Sequence, residues 1–369
     1  MTPRLKILVT GASGLVGAEV TARLAAAGHE VTAVVHRQQT LVRNDGTPLD
    51  PATVRCLSAD VTRPRLGLTE AGYAELAGGG IDRIVHCAAI TDFGRPEEDY
   101  RTVNVDGTAH IIELARAGGA GLVHVGTAYV CGERDGLIRE TELDQGQRLA
   151  NGYEASKLRA ETLVHKARAD GVRAAVVRPS IVVGDEHTGV VRDYKNIYVI
   201  LKLTTEGKVR SVPGLYEARL DLVPVDYVAD VITRVTERFD EAEGRTFHAA
   251  GAPLTLRDFS DVMAEYPSFH VPRFVPPTSF DAQRLPTRER RYYERIVSLY
   301  ESYFRRRMTF DASHTAALGV RATPANGPDF LRKLINHCLA SGYLGAPPPD
   351  AMRPAGTGPA ADDANGAGR

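Results

Sequence analysis

The sequence predicts an α/β fold with a doubly wound parallel sheet, and three observations indicate it. Short apolar runs alternate with helix-like segments as far as about residue 180. Some of these runs are unbroken, such as Ile7-Leu8-Val9, as expected of strands buried on both faces. A glycine-rich turn follows the first run and leads directly into a helix-like segment. This alternation places helices on both faces of a parallel sheet.

The predicted elements follow one another with short connections. The strands are Leu5–Thr10, Glu30–Val35, Val54–Leu57, Ile81–Ala88, Leu122–Gly126 and Ala174–Arg178. The helices are Leu15–Ala27, Glu97–Ala117 and Tyr153–Ala169. Together these segments form a predicted sheet domain at residues 1–183.

The pattern changes after about Gly184, where proline-bearing loops separate shorter helices. We expect a smaller, mostly helical cap at residues 184–345 that binds the substrate and is interleaved with the last strands of the sheet. Residues 346–369 are almost entirely Ala, Gly, Pro, Asp and Asn, which cannot build a core. This segment is predicted to be a disordered tail.

Composition excludes several classes of protein. The 45 basic and 46 acidic residues give a net charge of −1, which favours neither nucleic acid nor an anionic membrane. No apolar run approaches the ~20 residues of a membrane span, and the N-terminus leads directly into a strand rather than a signal peptide. The four cysteines show no CxxC spacing and the 11 histidines no HExxH. We expect a cytoplasmic protein with free thiols and no metal site.

The glycine turn predicts a dinucleotide site. Gly11, Gly14 and Gly17 lie between a strand and a helix, where glycine allows a tight turn, close approach to phosphates and close helix packing. The helix N-terminus offers free amides and a partial positive charge to a pyrophosphate. We assign the contacts to Gly11, Ser13, Gly14, Leu15, Val16 and Gly17; the alternative is a purely structural turn.

The second strand favours NADPH over NADH. It ends at Val34-Val35-His36-Arg37, where an NAD-selective fold would place an acidic residue on the ribose hydroxyls. Arg37, with Ser13, could meet a 2′-phosphate instead, because a guanidinium matches phosphate oxygens in pairs. The alternative for Arg37 is a solvated surface side chain. Asp60 is a candidate partner for the adenine amino group, or an acidic helix cap.

The catalytic signal is Tyr153-Glu-Ala-Ser-Lys157. Residues four apart share a helix face, so the Lys157 ammonium can lie near the Tyr153 phenolate. A tyrosine with pKa near 10 needs ~4 kcal/mol of differential stabilisation to ionise at neutral pH, which a lysine and a cationic nicotinamide in a partly dry pocket can supply. Thr127 follows the strand Leu122–Gly126, at the sheet edge where ligands bind. Its hydroxyl would hold the substrate oxygen while Tyr153 exchanges the proton.

Several motifs resemble the extended short-chain dehydrogenase/reductase superfamily: TGASGLVG (10–17), NVDGT (104–108), YxxxK (153–157) and RPS (178–180). Longer stretches resemble its thioester reductase branch, which includes the terminal reductase domains of nonribosomal peptide and polyketide synthases and the fatty acyl reductases. These stretches are ADVTRPRLGLTE (59–70), VHVGTAYVCGERDG (123–136), NGYEASKLRAE (151–161) and YFRRRMTFDASHTAALG (303–319).

The resemblance implies a Rossmann domain with a helical cap, NADP(H), and hydride delivery to an acyl thioester on coenzyme A or a carrier phosphopantetheine. An aldehyde or an alcohol would form. Carried over residue by residue, Thr127, Tyr153 and Lys157 are catalytic. The implied cofactor contacts are Gly11, Gly14, Gly17, Arg37, Asp60, Val61, Ala88, Ala89, Asn104, Lys157, Pro179, Ser180 and Ile181.

Two departures from the family pattern affect these expectations. The first strand begins at residue 5, which leaves no room for a preceding carrier domain, so we expect a carrier to act in trans or the substrate to be free. Gly126 replaces the usual serine before Thr127, which is expected to widen or loosen the loop.

Other functions remain open. The alternative enzyme is a carbonyl or alcohol oxidoreductase acting on a small natural-product-like substrate with the same catalytic residues. A sugar-nucleotide dehydratase is disfavoured, because Ala128-Tyr129 replaces the acid pair that dehydration uses. A non-catalytic cofactor-sensing protein is disfavoured by the intact tyrosine and lysine.

Two further features carry weaker expectations. Cys131 lacks an identifiable base and is interpreted as a small buried thiol rather than an acyl-enzyme nucleophile. Residues 284–307 hold eight arginines against three glutamates, net +5, with interleaved tyrosines. The first interpretation is a solvated helix face. The second is a docking surface for an acidic carrier protein or coenzyme A phosphates, and the third a peripheral membrane helix.

Overall fold

A seven-stranded parallel sheet forms the centre of the computed structural model, which describes residues 3–36, 40–321 and 327–345. The strands within these ranges are β1 (Lys6–Thr10), β2 (Glu30–Val35), β3 (Val54–Ser58), β4 (Arg83–His86), β5 (Gly121–Val125), β6 (Gly136–Ile138), β7 (Ala174–Pro179), β8 (Ile181–Val183), β9 (Ser211–Pro213), β10 (Arg219–Leu220), β11 (Leu222–Pro224), β12 (Thr246–Ala249), β13 (Leu254–Thr255), β14 (Arg273–Val275) and β15 (Met308–Phe310).

The central sheet has the order β12-β7-β5-β4-β1-β2-β3. From β1 the chain adds β2 and β3 on one side, and then β4, β5, β7 and β12 on the other, with parallel pairing throughout. The order therefore reverses between β1 and β4, which opens a crevice at the carboxyl ends of these strands. The predicted doubly wound parallel sheet is confirmed.

Helices cover both faces of this sheet. They are α1 (Leu15–Ala26), α2 (Glu70–Ala77), α3 (Glu97–Tyr100), α4 (Gly107–Gly118), α5 (Gly152–Ala169), α6 (Ile197–Thr205), α7 (Val225–Glu237), α8 (Phe239–Ala242), α9 (Leu256–Ala264), α10 (Thr287–Arg295), α11 (Ser313–Ala317) and α12 (Pro328–Ala340). A π-helical stretch, Arg101–Asp106, joins α3 to α4. The predicted helix Glu97–Ala117 therefore changes its hydrogen-bonding pattern midway.

Alternating side chains of β1 separate the two layers. Ile7 and Val9 belong to the core shared with α1 and α7, whereas Leu8 belongs to the core shared with α4 and α5. All three are fully buried, as expected of a central parallel strand. The unbroken apolar run is explained by this burial on both faces.

The segment 184–345 contributes to two regions. β12 and α7 complete the sheet and its helical layer, in keeping with the expected interleaving. The remainder builds a third core rich in aromatic residues around α6, α9 and α12. β15 pairs with β6 and so joins this C-terminal region to the loop after β5. The predicted division at residue 183 stays a prediction, and the predicted disordered tail at 346–369 lies outside the described residues.

Within the ranges given above, no helix has the length and apolarity needed to cross a bilayer. None of the four cysteines, which all lie in the described ranges, forms a disulfide.

Candidate active site

A cavity of about 300 Å³ opens at the carboxyl ends of the central strands. Ten of the residues assigned from the sequence line it: Gly11, Gly14, Leu15, Val16, Gly17, Ala89, Thr127, Tyr153, Ser180 and Ile181. They come from segments as far apart as residues 11 and 181, so the fold collects the glycine turn and the Thr–Tyr pair around one space.

The glycine turn is packed so closely that side chains would not fit. Gly11 has φ +67°, and a Cβ there would lie 2.5 Å from the Ala88 nitrogen. A Cβ at Gly17 would lie 2.2 Å from the Gly11 oxygen. The N-terminus of α1 has no side-chain cap, which leaves its first amides free for an anion. These residues fit a dinucleotide pyrophosphate.

Thr127 and Tyr153 form the floor of the cavity. Thr127 follows β5; its hydroxyl donates to the Pro179 oxygen (3.4 Å) and accepts from the Tyr129 nitrogen (3.3 Å). Tyr153 lies in the first turn of α5, where the Asn151 side chain caps the Glu154 nitrogen at 2.9 Å. Burial raises the pKa of Tyr153 to about 12, against the opposing effect of a hydrogen bond with Thr127. This direction is opposite to the lowered pKa expected from the sequence, and Lys157 is not among the groups that shift it. The protein's own groups keep the phenol protonated, as a proton donor requires.

Lys157 lies one turn further along α5. Its Nζ donates to the Val125 oxygen at 2.8 Å, and its side chain is buried. Burial lowers the pKa of Lys157 to about 8, although Glu161 raises it. Lys157 is not among the residues that line the cavity. Its ammonium is held at the end of the strand that precedes Thr127.

Asn104 connects the π-helical stretch to the same helix. Its Nδ2 donates to the Ser156 hydroxyl (2.9 Å), which donates to the Tyr153 carbonyl (2.8 Å). Its Oδ1 accepts from the Ile90 nitrogen at 2.8 Å. Asn104 therefore links α5 to the loop after β4 by hydrogen bonds and does not line the cavity.

The loop behind Thr127 is closely packed around Gly126. The Gly126 nitrogen donates to the Val177 oxygen at 2.7 Å. A Cβ at this position would lie 3.1 Å from Glu161 Oε2 and 3.6 Å from Arg178 Cγ. The strand ladder and the buried Glu161–Arg178 pair (2.7 Å) hold this loop, and the effect of glycine in place of serine stays a prediction.

Asp60 has local partners. Its Oδ1 accepts from the Thr62 nitrogen (2.9 Å) and hydroxyl (2.7 Å), while Oδ2 lies 3.6 Å from His36. Partial burial raises the pKa of Asp60, but the hydrogen bonds from Thr62 outweigh it and the pKa is lowered. Asp60 thus closes a local turn with Thr62 and does not cap the helical turn Pro64–Gly67, whose N-cap is Arg63. Its other oxygen faces the end of β2.

The other assigned cofactor residues lie around the same crevice. The Ser13 carbonyl accepts from Arg192 at 2.6 Å, and the Val61 carbonyl contacts His110 Nδ1 at 2.9 Å. The Ala88 nitrogen donates to the Thr10 hydroxyl at 3.4 Å, and Ser180 donates to Asp221 at 2.5 Å. Arg37 lies outside the described residues, so its assignment stays a prediction.

Cys131 has the environment of an inert thiol. It is buried 3.5 Å from the Met308 sulfur and does not line the cavity. Burial raises its pKa to about 12. Because a thiolate is the nucleophilic form, this environment agrees with the structural interpretation.

An aromatic wall, to which the sequence analysis gave no role in the site, also lines the cavity. It consists of Phe93, Tyr129, Tyr300, Tyr303 and Phe304. The Phe93 ring lies 5.7 Å from Tyr153, 4.9 Å from Tyr300 and 5.7 Å from Tyr303. Tyr300, Tyr303 and Phe304 belong to the basic segment 284–307, where the helix α10 ends at Arg295 and 3-10 turns follow.

The basic segment divides into two groups. Arg305 pairs with Glu133 (2.6 Å), Arg306 with Glu154 (2.8 Å) and Arg307 with Asp135 (2.6 Å). Arg306 is buried and therefore cannot belong to a docking surface, whereas Arg305 and Arg307 are partly exposed and already paired with carboxylates of this chain. Arg288, Arg291 and Arg295 lie exposed on one face of α10 and have no ion pair within the described part of the chain.

The family model described as male sterility protein, an NAD-binding family, matches residues 9–232. This span contains the glycine turn, Thr127, Tyr153 and Lys157. The chain belongs to the male sterility family. The resemblance to the thioester reductase branch of the extended short-chain dehydrogenases/reductases is thereby confirmed.

Curated relatives of this male sterility family member are much longer proteins. Isonitrile lipopeptide synthase of Streptomyces coeruleorubidus is 29% identical over 277 residues, which are 71% of this chain and 18% of that protein. The L-2-aminoadipate reductase large subunit of Penicillium chrysogenum is 24% identical over 309 residues, which are 75% of this chain and 22% of that protein. The chain spans about a fifth of the length of these relatives.

Solved structures agree with the male sterility family assignment. The terminal R domain of the myxalamid PKS-NRPS pathway superposes with a TM-score of 0.78 and 25% identity, covering 94% of both chains. The R domain of a nonribosomal peptide synthetase from Mycobacterium tuberculosis has a TM-score of 0.67 and 19% identity over 93% of both, a likeness of fold. The chain therefore has the fold of an R domain.

Proposed function

We propose that this protein is an NADPH-dependent reductase of acyl thioesters, which releases an aldehyde or, after a second reduction, an alcohol. The observation that carries the proposal is the grouping of Thr127 and Tyr153 at the floor of one cavity, beside the uncapped glycine turn and with Lys157 one helical turn away. Membership of a family whose relatives include R domains supports the substrate class.

The proposed chemistry uses the residues as follows. NADPH, when bound, supplies the hydride. The Thr127 hydroxyl and the Tyr153 phenol donate hydrogen bonds to the thioester oxygen, where negative charge develops as the carbonyl becomes tetrahedral. The oxyanion then collapses, the C–S bond breaks, and the thiolate takes a proton. One thioester, one NADPH and one proton give one aldehyde, one thiol and NADP⁺.

Burial of the phenol supports the reductive direction. A tyrosine that stays protonated at neutral pH is ready to donate, and the raised pKa of Tyr153 keeps it in that form. Lys157, whose ammonium is fixed 2.8 Å from the Val125 oxygen, is the residue that we propose supplies positive charge as the proton leaves. Oxidation would instead need the phenolate, which burial disfavours.

The choice of NADPH rests on the end of β2. The Asp60 carboxylate is already engaged by Thr62, and Arg37 follows His36 in the position suited to a 2′-phosphate. We therefore propose Arg37 as the residue that selects NADPH.

The partner we propose for a carrier-bound substrate is an acidic carrier protein, which would dock on the exposed stripe Arg288, Arg291 and Arg295. These arginines lack internal partners in the described residues, unlike Arg305 to Arg307. The stripe leads along the chain to Tyr300, which lines the cavity.

A thiol-release assay tests the function. The protein is incubated with NADPH and a series of acyl-pantetheine and acyl-coenzyme A thioesters, and free thiol and NADPH loss are measured together. One NADPH per thiol indicates an aldehyde and two an alcohol. If NADPH is consumed with aldehydes or ketones but never with thiol release, the carbonyl oxidoreductase replaces the thioester reductase.

A further inference from the structure

Glu154 follows Tyr153 on α5 and is completely buried. Its Oε1 accepts from Arg306 Nη2 at 2.8 Å and from the Tyr303 hydroxyl at 2.9 Å. Its Oε2 accepts from the Ala150 nitrogen at 2.9 Å. One carboxylate thus joins the first turn of the catalytic helix to a segment about 150 residues later in the chain.

Arg306 is 2% exposed, an unusual position for an arginine. Besides Glu154, its Nη2 donates to the Ser302 hydroxyl at 2.8 Å. Its guanidinium carbon lies 4.5 Å from the centre of the Tyr303 ring and 5.7 Å from that of Tyr129. Both rings line the cavity, so Arg306 supports the aromatic wall from behind.

A second path returns from this wall to the catalytic tyrosine. The Tyr303 ring lies 5.7 Å from Phe93, and Phe93 lies 5.7 Å from Tyr153. Tyr153 is therefore constrained through its own helix, by way of Glu154, and through ring contacts, by way of Phe93. Both constraints meet at Tyr303.

The Glu154 carboxylate opposes ionisation of the neighbouring Tyr153 phenol. Because Arg306 carries the opposite charge and binds that carboxylate at 2.8 Å, we expect it to offset this effect. The other titratable groups that face Tyr153 or Glu154 are Tyr100 on α3, Tyr129 and Cys131 after β5, and Tyr303.

We propose that Glu154 and Arg306 are positioning residues for the reduction: the buried pair fixes Tyr153 against the aromatic wall and balances the charge beside its phenol. This inference rests on the proposed function, because Tyr153 must be the proton donor. It assigns Arg306, a member of the basic segment, to the catalytic end of the molecule rather than to its surface.

The test is the pH dependence of kcat for NADPH-dependent reduction of an aldehyde, a substrate that survives alkaline buffers. In the reductive direction activity falls as pH rises through the pKa of the donor. The alkaline limb is the pH range in which kcat falls. Arg306→Met leaves the carboxylate unbalanced, so this limb should move to higher pH by ~1 unit or more. Glu154→Gln leaves the guanidinium unbalanced, so the limb should move to lower pH. The double variant should return close to the wild-type limb.

Removing one partner of a buried ion pair destabilises the fold. The melting temperature and the NADPH affinity of each variant are therefore measured together with its pH profile. Glu154→Gln keeps the size of the side chain and an acceptor oxygen, and it carries the test if Arg306→Met does not fold. Arg306→Lys should restore the wild-type limb. The matched control is Arg305→Met, which breaks the neighbouring Arg305–Glu133 pair and should leave the limb in place.

Folded single variants whose limbs stay unmoved, or move in the same direction, overturn the proposal. A purely structural pair would lower melting temperature without opposite shifts. A wild-type protein that reduces neither thioesters nor aldehydes would instead overturn the proposed function, so the two failures are distinguishable.

Discussion

Lys157 Nζ lies 2.8 Å from the backbone oxygen of Val125, two residues before Thr127. This contact ties α5, which carries the proposed proton donor Tyr153, to the end of β5. It gives the buried ammonium a partner that does not depend on ligands, and it fixes the distance between the lysine and the threonine that would hold the substrate oxygen.

Tyr153→Phe should abolish reduction, by at least ~100-fold in kcat, with little change in NADPH affinity. The substitution removes the phenolic oxygen and leaves the glycine turn untouched. Stopped-flow turnover and fluorescence titration with NADPH measure the two quantities separately. The control is Tyr266→Phe. It removes a hydroxyl that donates to Asn336 (2.9 Å) and does not line the cavity. Near-full activity of Tyr153→Phe would refute the assignment of the proton donor.

The lowered pKa of the buried Lys157 predicts how the stability of the protein depends on pH. Its pKa falls from 10.5 to about 8 on burial, so between these values the unfolded chain binds more protons than the folded one. The contribution of Lys157 to stability therefore rises with pH from about 8 to 10.5, by ~3 kcal/mol at ~1.4 kcal/mol per pKa unit.

The measurement compares urea unfolding of the wild type and Lys157→Met at several pH values. The wild type should gain stability relative to the variant as pH rises through this window, because methionine does not titrate. A stability difference that stays constant from pH 7 to 10 would contradict the depressed pKa.

Arg37→Ala should lower NADPH affinity by roughly ten- to a hundredfold and leave NADH binding almost unchanged. A charge-assisted contact to the 2′-phosphate contributes ~1.5–3 kcal/mol, and NADH lacks that group. Isothermal titration with both cofactors measures the effect. Arg55→Ala, an exposed arginine on β3, is the control. Equal affinity of the wild type for both cofactors would remove Arg37 from the site.

The sequence was sufficient to place those site residues whose position follows from one local pattern, while their chemical roles stay predictions. The glycine turn between β1 and α1, Thr127 after β5, and Tyr153 with Lys157 on α5 each follow from residues within a few positions of one another. The partners of Arg306 could not be predicted in this way, because Glu154 lies about 150 residues earlier and only the folded chain brings them together. Nor does arginine-rich composition distinguish the buried Arg306 from the exposed Arg291.

The exposed stripe of α10 gives the last prediction. Replacing Arg288, Arg291 and Arg295 together by alanine should weaken reduction of a carrier-bound thioester, mainly through KM and most strongly at low salt, because exposed charges are screened over about 10 Å at 0.1 M. The same thioester on free pantetheine presents no acidic protein, so its KM should stay within about twofold. The control replaces three exposed arginines elsewhere, Arg55, Arg116 and Arg159, which removes the same charge. An equal loss in both triple variants would reduce the effect to net charge, and an unchanged KM for the carrier-bound substrate would place the docking surface elsewhere.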